Sequence, residues 1–347
     1  MPAGTLTTLV ELDAKLAECA AAQHVSDDAL REVFTRFQME LPRPAEPDPF
    51  SPRYRDEIME LYRRIAGRPY SVRNEIMPLD VERSVRCPFP FSSQSAKTAG
   101  LFTMGLGFLL HSIDRPAGAR ILEFGPGWGN STIALALLGY DVTAVEIGPD
   151  FCELLRRRAE QAGVALTVVN DDFLWAETVT EPFDAVVFFE CFHHCSDHRR
   201  LLAALDRAVA PGGRIYFAAE PIVANWPMPW GLRGDGESLW AIRSGGWMEL
   251  GFSEDYFREA LRRAGWSVRR HAIPEIGWAA VWEAQRSAEC DGADAPPPAG
   301  PPAATEMPER QADPEAERLR HELAAVYSST SWRVTGPLRG LKRLFRR

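Results

Sequence analysis

The chain reads as an α/β protein built on an open, doubly wound parallel sheet, and three observations carry that reading. Between residues about 118 and 287, short runs rich in β-branched and aromatic residues alternate with helical segments. The first of those runs, RILEF, ends in a glycine-rich turn, GPGWGN, that opens a helix. The next two runs end in acids, at Glu146 and at Asp171 and Asp172, where such a sheet presents groups to a ligand.

Residues 1 to about 115 read as a helical region. SPRYRDEIMELYRRIAG is its best-marked helix: Ser51 caps it, Pro52 takes the first helical position and Gly67 ends it. Ile58, Leu61, Tyr62 and Ile65 share one face, so the helix packs on something. A second helix is expected over roughly 95–113, where Gly100, Gly105 and Gly107 permit close backbone approach.

From about 116 to 287, ARILEFG, DVTAVEIG, ALTVVN, FDAVVFFEC and GRIYFAAEP are the strands. STIALALLG, PDFCELLRRRAEQAG and DHRRLLAALDRAVA are the helices between them. SEDYFREALRRAG adds a helix, and WSVRRHAI with GWAAVWEAQR forms a hairpin at the sheet edge. Residues 221–252 form an insertion too long for a plain connection. Residues 288–313 are a Pro/Ala/Gly-rich linker. Residues 314–347 form a helix and a tail, SWRVTGPLRGLKRLFRR, with six basic residues and no acid.

Composition narrows the function classes. The net charge is −9, which disfavours a nucleic-acid binder. The six cysteines show no disulfide spacing, as in a reducing compartment, and no stretch has the roughly 20 apolar residues of a membrane span. The start of the chain lacks a signal-peptide pattern, so a cytoplasmic location is expected.

The glycine turn fits neither common phosphate ligand. Asn130 stands where the dinucleotide fingerprint wants glycine, and the turn has no phosphate-loop lysine. Glu123, just before the first glycine, would repel a pyrophosphate and suits a ligand with a cationic head. Glu146, 17 positions after Gly129, is placed to hold two ribose hydroxyls.

ExGxGxG over residues 123–129, the acid Glu146, Asp-Phe after the third strand, and AVAPGGRIYF together resemble class I S-adenosylmethionine-dependent methyltransferases over about 115–285. The resemblance implies a Rossmann-like seven-stranded sheet and S-adenosylmethionine as cofactor. It implies that Glu123, Gly125, Gly127 and Gly129 face the methionine part, Glu146 the ribose, and Asp171, Asp172 and Phe173 the adenine. It places the end of the fourth strand, FFECFHHCSDH, against the transferred methyl group. There His193 or His194 is expected as general base, His194 favoured, with Glu190 orienting the ring. Each histidine can equally brace the loop. A metal held by Cys191, His193, His194 and Cys195 is disfavoured, because four neighbours in five residues hardly converge.

Glu220 and, in the insertion, Trp226, Trp230, Arg233 and Trp240 are expected to bind the acceptor; Trp247, Asp235 and Glu237 lie among them. Indole faces suit sugar C–H faces. The C-terminal tail resembles one found on bacterial glycosyltransferases and other enzymes of surface-polysaccharide assembly, and the central block resembles methyltransferases of such systems. The expectation is O-methylation of a sugar hydroxyl in a glycan or its precursor, with the tail on a membrane surface or a glycan-assembly partner. The alternatives are a small-molecule methyltransferase of secondary metabolism and a non-catalytic scaffold on the same fold.

Overall fold

Backbone pairing confirms the doubly wound sheet and adds a layer that the chain's N-terminal pattern concealed. The computed structural model describes residues 4–89 and 95–287; the linker at 288–313 and the helix and basic tail at 314–347 lie outside the described residues.

The N-terminal region runs β1 (Gly4–Leu6), α1 (Leu9–Gln23), α2 (Asp27–Phe34), β2 (Phe37–Met39), α3 (Pro52–Ala66), α4 (Val81–Arg86) and α5 (Ala96–Ser112). Helices dominate as expected, but β1 and β2 pair in parallel, which the short runs did not signal. In α3 the Ser51 hydroxyl accepts the Tyr54 N–H at 3.1 Å, Pro52 sits in the first turn, and Gly67 closes the helix at φ 72°. Its expected apolar face, Ile58, Leu61, Tyr62 and Ile65, is buried. Gly105 of α5 does allow close approach: a Cβ there would lie 3.0 Å from the Trp278 carbonyl oxygen, whereas Gly100 and Gly107 face open space.

The sheet follows: β3 (Arg120–Phe124), α6 (Asn130–Leu137), β4 (Asp141–Glu146), α7 (Pro149–Ala162), β5 (Thr167–Asn170), β6 (Phe183–Phe189), α8 (His198–Ala208) and β7 (Val209–Ala218). The insertion holds β8 (Ile222–Val223), β9 (Trp230–Leu232), α9 (Gly236–Trp240) and β10 (Leu250–Ser253). Then α10 (Glu254–Arg263), β11 (Trp266–Ala272) and β12 (Ala280–Arg286) complete the described chain. The strand order is β11-β12-β7-β6-β3-β4-β5, with β3 to β7 parallel and β12 antiparallel to both neighbours. The order reverses between β3 and β6, and a ligand crevice forms at such a switch point.

Strand periodicity sorts the core into two layers. Along β6, Val186 and Phe188 face one layer while Ala185, Val187 and Phe189 face the other. Phe124, Phe188 and Phe217 stand opposite one another on β3, β6 and β7 and stack, with centroids 5.3 and 5.1 Å apart. That layer continues without a break into the N-terminal helices and the insertion. The insertion forms its own three-stranded sheet, β8-β10-β9, and docks on the N-terminal region. Tyr54 donates its hydroxyl to the Trp230 carbonyl at 2.8 Å, Met39 donates its N–H to the Gly234 carbonyl at 2.7 Å, and Trp230 donates Nε1–H to the Pro49 carbonyl at 2.9 Å. Among the described residues no helix is long and apolar enough to cross a membrane.

Close backbone contact at this seam gives a stability prediction. A Cβ on Gly236 would lie 2.3 Å from the Phe34 carbonyl oxygen, a backbone atom that cannot swing away. Gly236→Ala is expected to destabilise the chain by about 1–3 kcal/mol in urea unfolding, the usual cost of overpacking. An unchanged midpoint would show that the seam gives freely.

Candidate active site

At the switch point the C-terminal ends of β3, β4, β5 and β6 open into a cavity of about 480 Å³. One half is built by the sheet. Gly125, Gly127 and Gly129 all lie at positive φ, between 50° and 73°, so the chain can leave β3 and enter α6 in one tight turn. A Cβ on Gly125 would stand 2.8 Å from the Cys191 Cβ, so the turn after β3 and the turn after β6 touch only because that atom is missing.

Glu146 ends β4 and faces this half. Its Oε1 accepts the Gly148 N–H at 2.8 Å and its Oε2 the Gly127 N–H at 3.2 Å. Burial raises its pKa above the usual carboxylate value, against those backbone donors. Each oxygen keeps acceptor capacity for a hydroxyl. Asp171, Asp172 and Phe173 line the same half. Asp172 also accepts the Leu174 N–H at 2.7 Å, and Phe173 packs 5.9 Å from the Phe124 ring.

Two cofactor-side expectations are corrected. Glu123 does not face the cavity: it is fully buried and accepts the hydroxyl protons of Ser131 and Thr132, the latter at 2.6 Å. It ties the start of α6 to β3, because a residue one position before the strand end points into the helix layer. Burial pushes its pKa up to about 7. Gly129 does not line the cavity either; a Cβ there would strike Leu155 of α7.

The other half begins where β6 ends. Glu190 and Ala219 follow β6 and β7, and both hold left-handed backbone, at φ 54° and 55°, which is strained for residues with a side chain. The second bend delivers Glu220 beneath the turn after β6. Glu220 accepts the N–H groups of Cys191, Phe192 and His193 at 2.9, 2.8 and 3.2 Å, and its Oε2 lies 2.8 Å from His193 Nδ1. Burial opposes its charge, but His193 and the backbone donors hold its pKa below the usual value. The other ring nitrogen of His193, Nε2, lies 3.8 Å from Glu249 Oε2.

The histidine expectations change accordingly. Glu220, not Glu190, orients His193, so Glu220 is a buried brace rather than an acceptor-binding group. Glu190 lines the cavity, and its carboxylate makes no hydrogen bond among the described residues. Burial, with Glu237 and Glu220 nearby, raises its pKa well above the usual range. His194 Nδ1 lies 3.4 Å from Glu75 Oε2. Burial alone would lower the His194 pKa, yet Glu75, Glu249 and Glu220 raise it to about 9. Cys191 donates its thiol to the Phe124 carbonyl at 3.0 Å, and burial raises the pKa of both Cys191 and Cys195. The four-residue Cys/His set therefore does not converge.

Arg233 and Trp240, two of the residues expected to bind the acceptor, line the cavity. Arg233 pairs with Asp235 at 3.0 Å and Glu249 at 3.3 Å. Trp226 and Trp230 do not reach it. Trp230 is 2% exposed and packs on Tyr54 and His198, and Trp226 packs across Gly251. Trp230 fills the seam between the insertion, α3 and α8, and Trp226 covers β10. Sequence reasoning missed Tyr70, Glu75, Glu249 and Trp278, all of which line the cavity. They sit in segments without a repeating pattern, so nothing local marked them.

Residues 121–213 match the family model described as a methyltransferase domain. A ubiquinone biosynthesis O-methyltransferase of Xanthomonas axonopodis pv. citri is 32% identical over 105 residues, 30% of this chain and 44% of that protein. An uncharacterized methyltransferase of Geobacillus kaustophilus is 32% identical over 116 residues, 33% of this chain and 53% of that one. The chain thus spans about half the length of these curated relatives. Among solved structures, the Burkholderia thailandensis 1,6-didemethyltoxoflavin-N1-methyltransferase aligns at 22% identity with a TM-score of 0.42, over 61% of this chain and 92% of that one.

Glu123 supplies a pH test. Its folded pKa of about 7 lies above the ordinary 4.5, so the folded chain holds a proton that the unfolded chain releases. Stability is therefore expected to fall as pH rises from about 4.5 through 7, by on the order of 3 kcal/mol from this group. In Glu123→Gln that part of the slope is lost. Parallel unfolding curves for the two proteins across pH 5–8 would sink the assignment.

Proposed function

We propose that the chain is an S-adenosylmethionine-dependent methyltransferase that methylates a hydroxyl of a polar, sugar-class acceptor, in a glycan or its precursor. The observation that carries the cofactor is Glu146. Fixed by two glycine amides at the switch point, it offers a bidentate hold on a ribose, beside a turn with no phosphate-binding lysine. Asp171, Asp172 and Phe173 give the adenine its wall. The methyltransferase match at 121–213 supports the same assignment.

The sulfonium methyl is already activated, so the chain's task is to align the acceptor oxygen and let its proton leave. The His193–His194 pair stands at the end of β6, between the cofactor half and the insertion. Its rings are 4.3 Å apart, and the acceptor oxygen meets them there.

The acceptor wall mixes indoles, Trp240, Trp247 and Trp278, with Glu237, Glu249 and Arg233. Faces of that kind suit sugar C–H surfaces, and the charged groups suit hydroxyls. A second reading has one observation in its favour: the similar Xanthomonas axonopodis protein bears the name of a ubiquinone biosynthesis O-methyltransferase. An aromatic acceptor would use the same indoles without the charged groups. The family match ends at residue 213; it takes in the glycine turn and the histidines after β6 but not Glu220 or the insertion, which supply much of the acceptor wall.

Two outcomes test this reading. Glu146→Ala is expected to weaken S-adenosylhomocysteine binding by about 10- to 100-fold in calorimetric titration, the usual loss for hydrogen bonds to a charged group. Unchanged binding would remove the cofactor assignment. The double variant His193→Ala/His194→Ala is expected to keep cofactor binding while transfer of labelled methyl to a glycan fraction drops at least about 100-fold. Label found only in lipid-soluble aromatics would favour the second reading.

A further inference from the structure

We propose that His193, His194 and Glu249 form a divalent transition-metal site that presents the acceptor oxygen to the methyl donor. The inference rests on the methyltransferase reading and deepens it.

One ligand atom from each of the three residues lies within 4.8 Å of the others. The chemistry around them matches what a metal-binding imidazole needs. A ligating histidine usually gives its second ring nitrogen to a carboxylate, which fixes the tautomer and aims the free lone pair. His193 does this with Glu220 at 2.8 Å. His194 Nδ1 is buried without a hydrogen bond among the described residues, with Glu75 Oε2 3.4 Å away, and Glu249 faces the pair from a third segment. The cavity also carries an excess of negative charge: eight carboxylates and two guanidiniums line it. Arg233 touches Glu249 as well, but it retains Asp235 as a partner if a cation takes the carboxylate. Two imidazoles and one carboxylate suit zinc, manganese or iron(II) rather than calcium.

A metal held there has open positions for the acceptor hydroxyl, whose O–H it weakens. As the oxygen–methyl bond forms, the sulfur–methyl bond breaks and its electron pair stays on sulfur. The hydroxyl proton passes to water.

The test uses the full chain stripped with a chelator. Zinc titration by calorimetry is expected to show one tight equivalent. That equivalent should weaken at least about 10- to 100-fold in His193→Gln and in Glu249→Gln, and remain in His24→Asn, a change at an exposed histidine. S-adenosylhomocysteine binding serves as the control for folding in every variant. If His193→Gln loses cofactor binding too, Glu249→Gln alone decides. No saturable equivalent, or one indifferent to Glu249→Gln, overturns the proposal. Metal binding without methyl transfer to any acceptor would retain the site and reject the function it was assigned to. Methyl transfer that survives chelation unchanged would reject the metal and leave His193 as a free base.

Discussion

Glu220 is a buried carboxylate on which three backbone N–H groups and one imidazole converge. The turn after β6 has no repeating structure to satisfy its own amides, and buried amides without partners are costly. The carboxylate satisfies them together, and they in turn make its charge tolerable in the interior. Everything on the acceptor side depends on this exchange. It sets the height of Cys191 against Gly125 and aims the His193 ring, whose Nε2 faces Glu249. The strained bends at Glu190 and Ala219 are the local cost of bringing the two strand ends into this arrangement.

The cavity divides along the chain's own history of folding elements. Strand ends of the sheet supply one half, where geometry follows from strand order. The N-terminal region and the insertion supply most of the other half, and they are one packed body across the Tyr54–Trp230 and Met39–Gly234 bonds. Under the proposed function, the first half takes the cofactor and the second the acceptor.

Much of the sheet was legible because parallel strands and amphipathic helices write their burial into local periodicity. Ser51, Pro52 and Gly67 marked α3, and the spacing of Glu146 from the glycine turn marked an acid that faces the cavity. Glu123 was misplaced because an acid in a glycine motif reads alike whether it faces ligand or helix; the direction depends on strand register. Trp226 and Trp230 were misplaced because an indole in an irregular insertion carries no sign of which side is core.

By itself, then, the sequence determined the α/β class, the strand and helix order and the acid at the end of β4 that faces the cavity, since each rests on contacts within a turn or a strand. Only the tertiary structure decided which histidine is aimed and by what. That choice rests on Glu220, Glu75 and Glu249, which lie 27, 119 and 56 residues from their histidine partners. Contacts at such separation leave no local pattern: the pairing of β6 with β7 brings Glu220 to His193, and the packing of the insertion on the N-terminal region brings in Glu75 and Glu249.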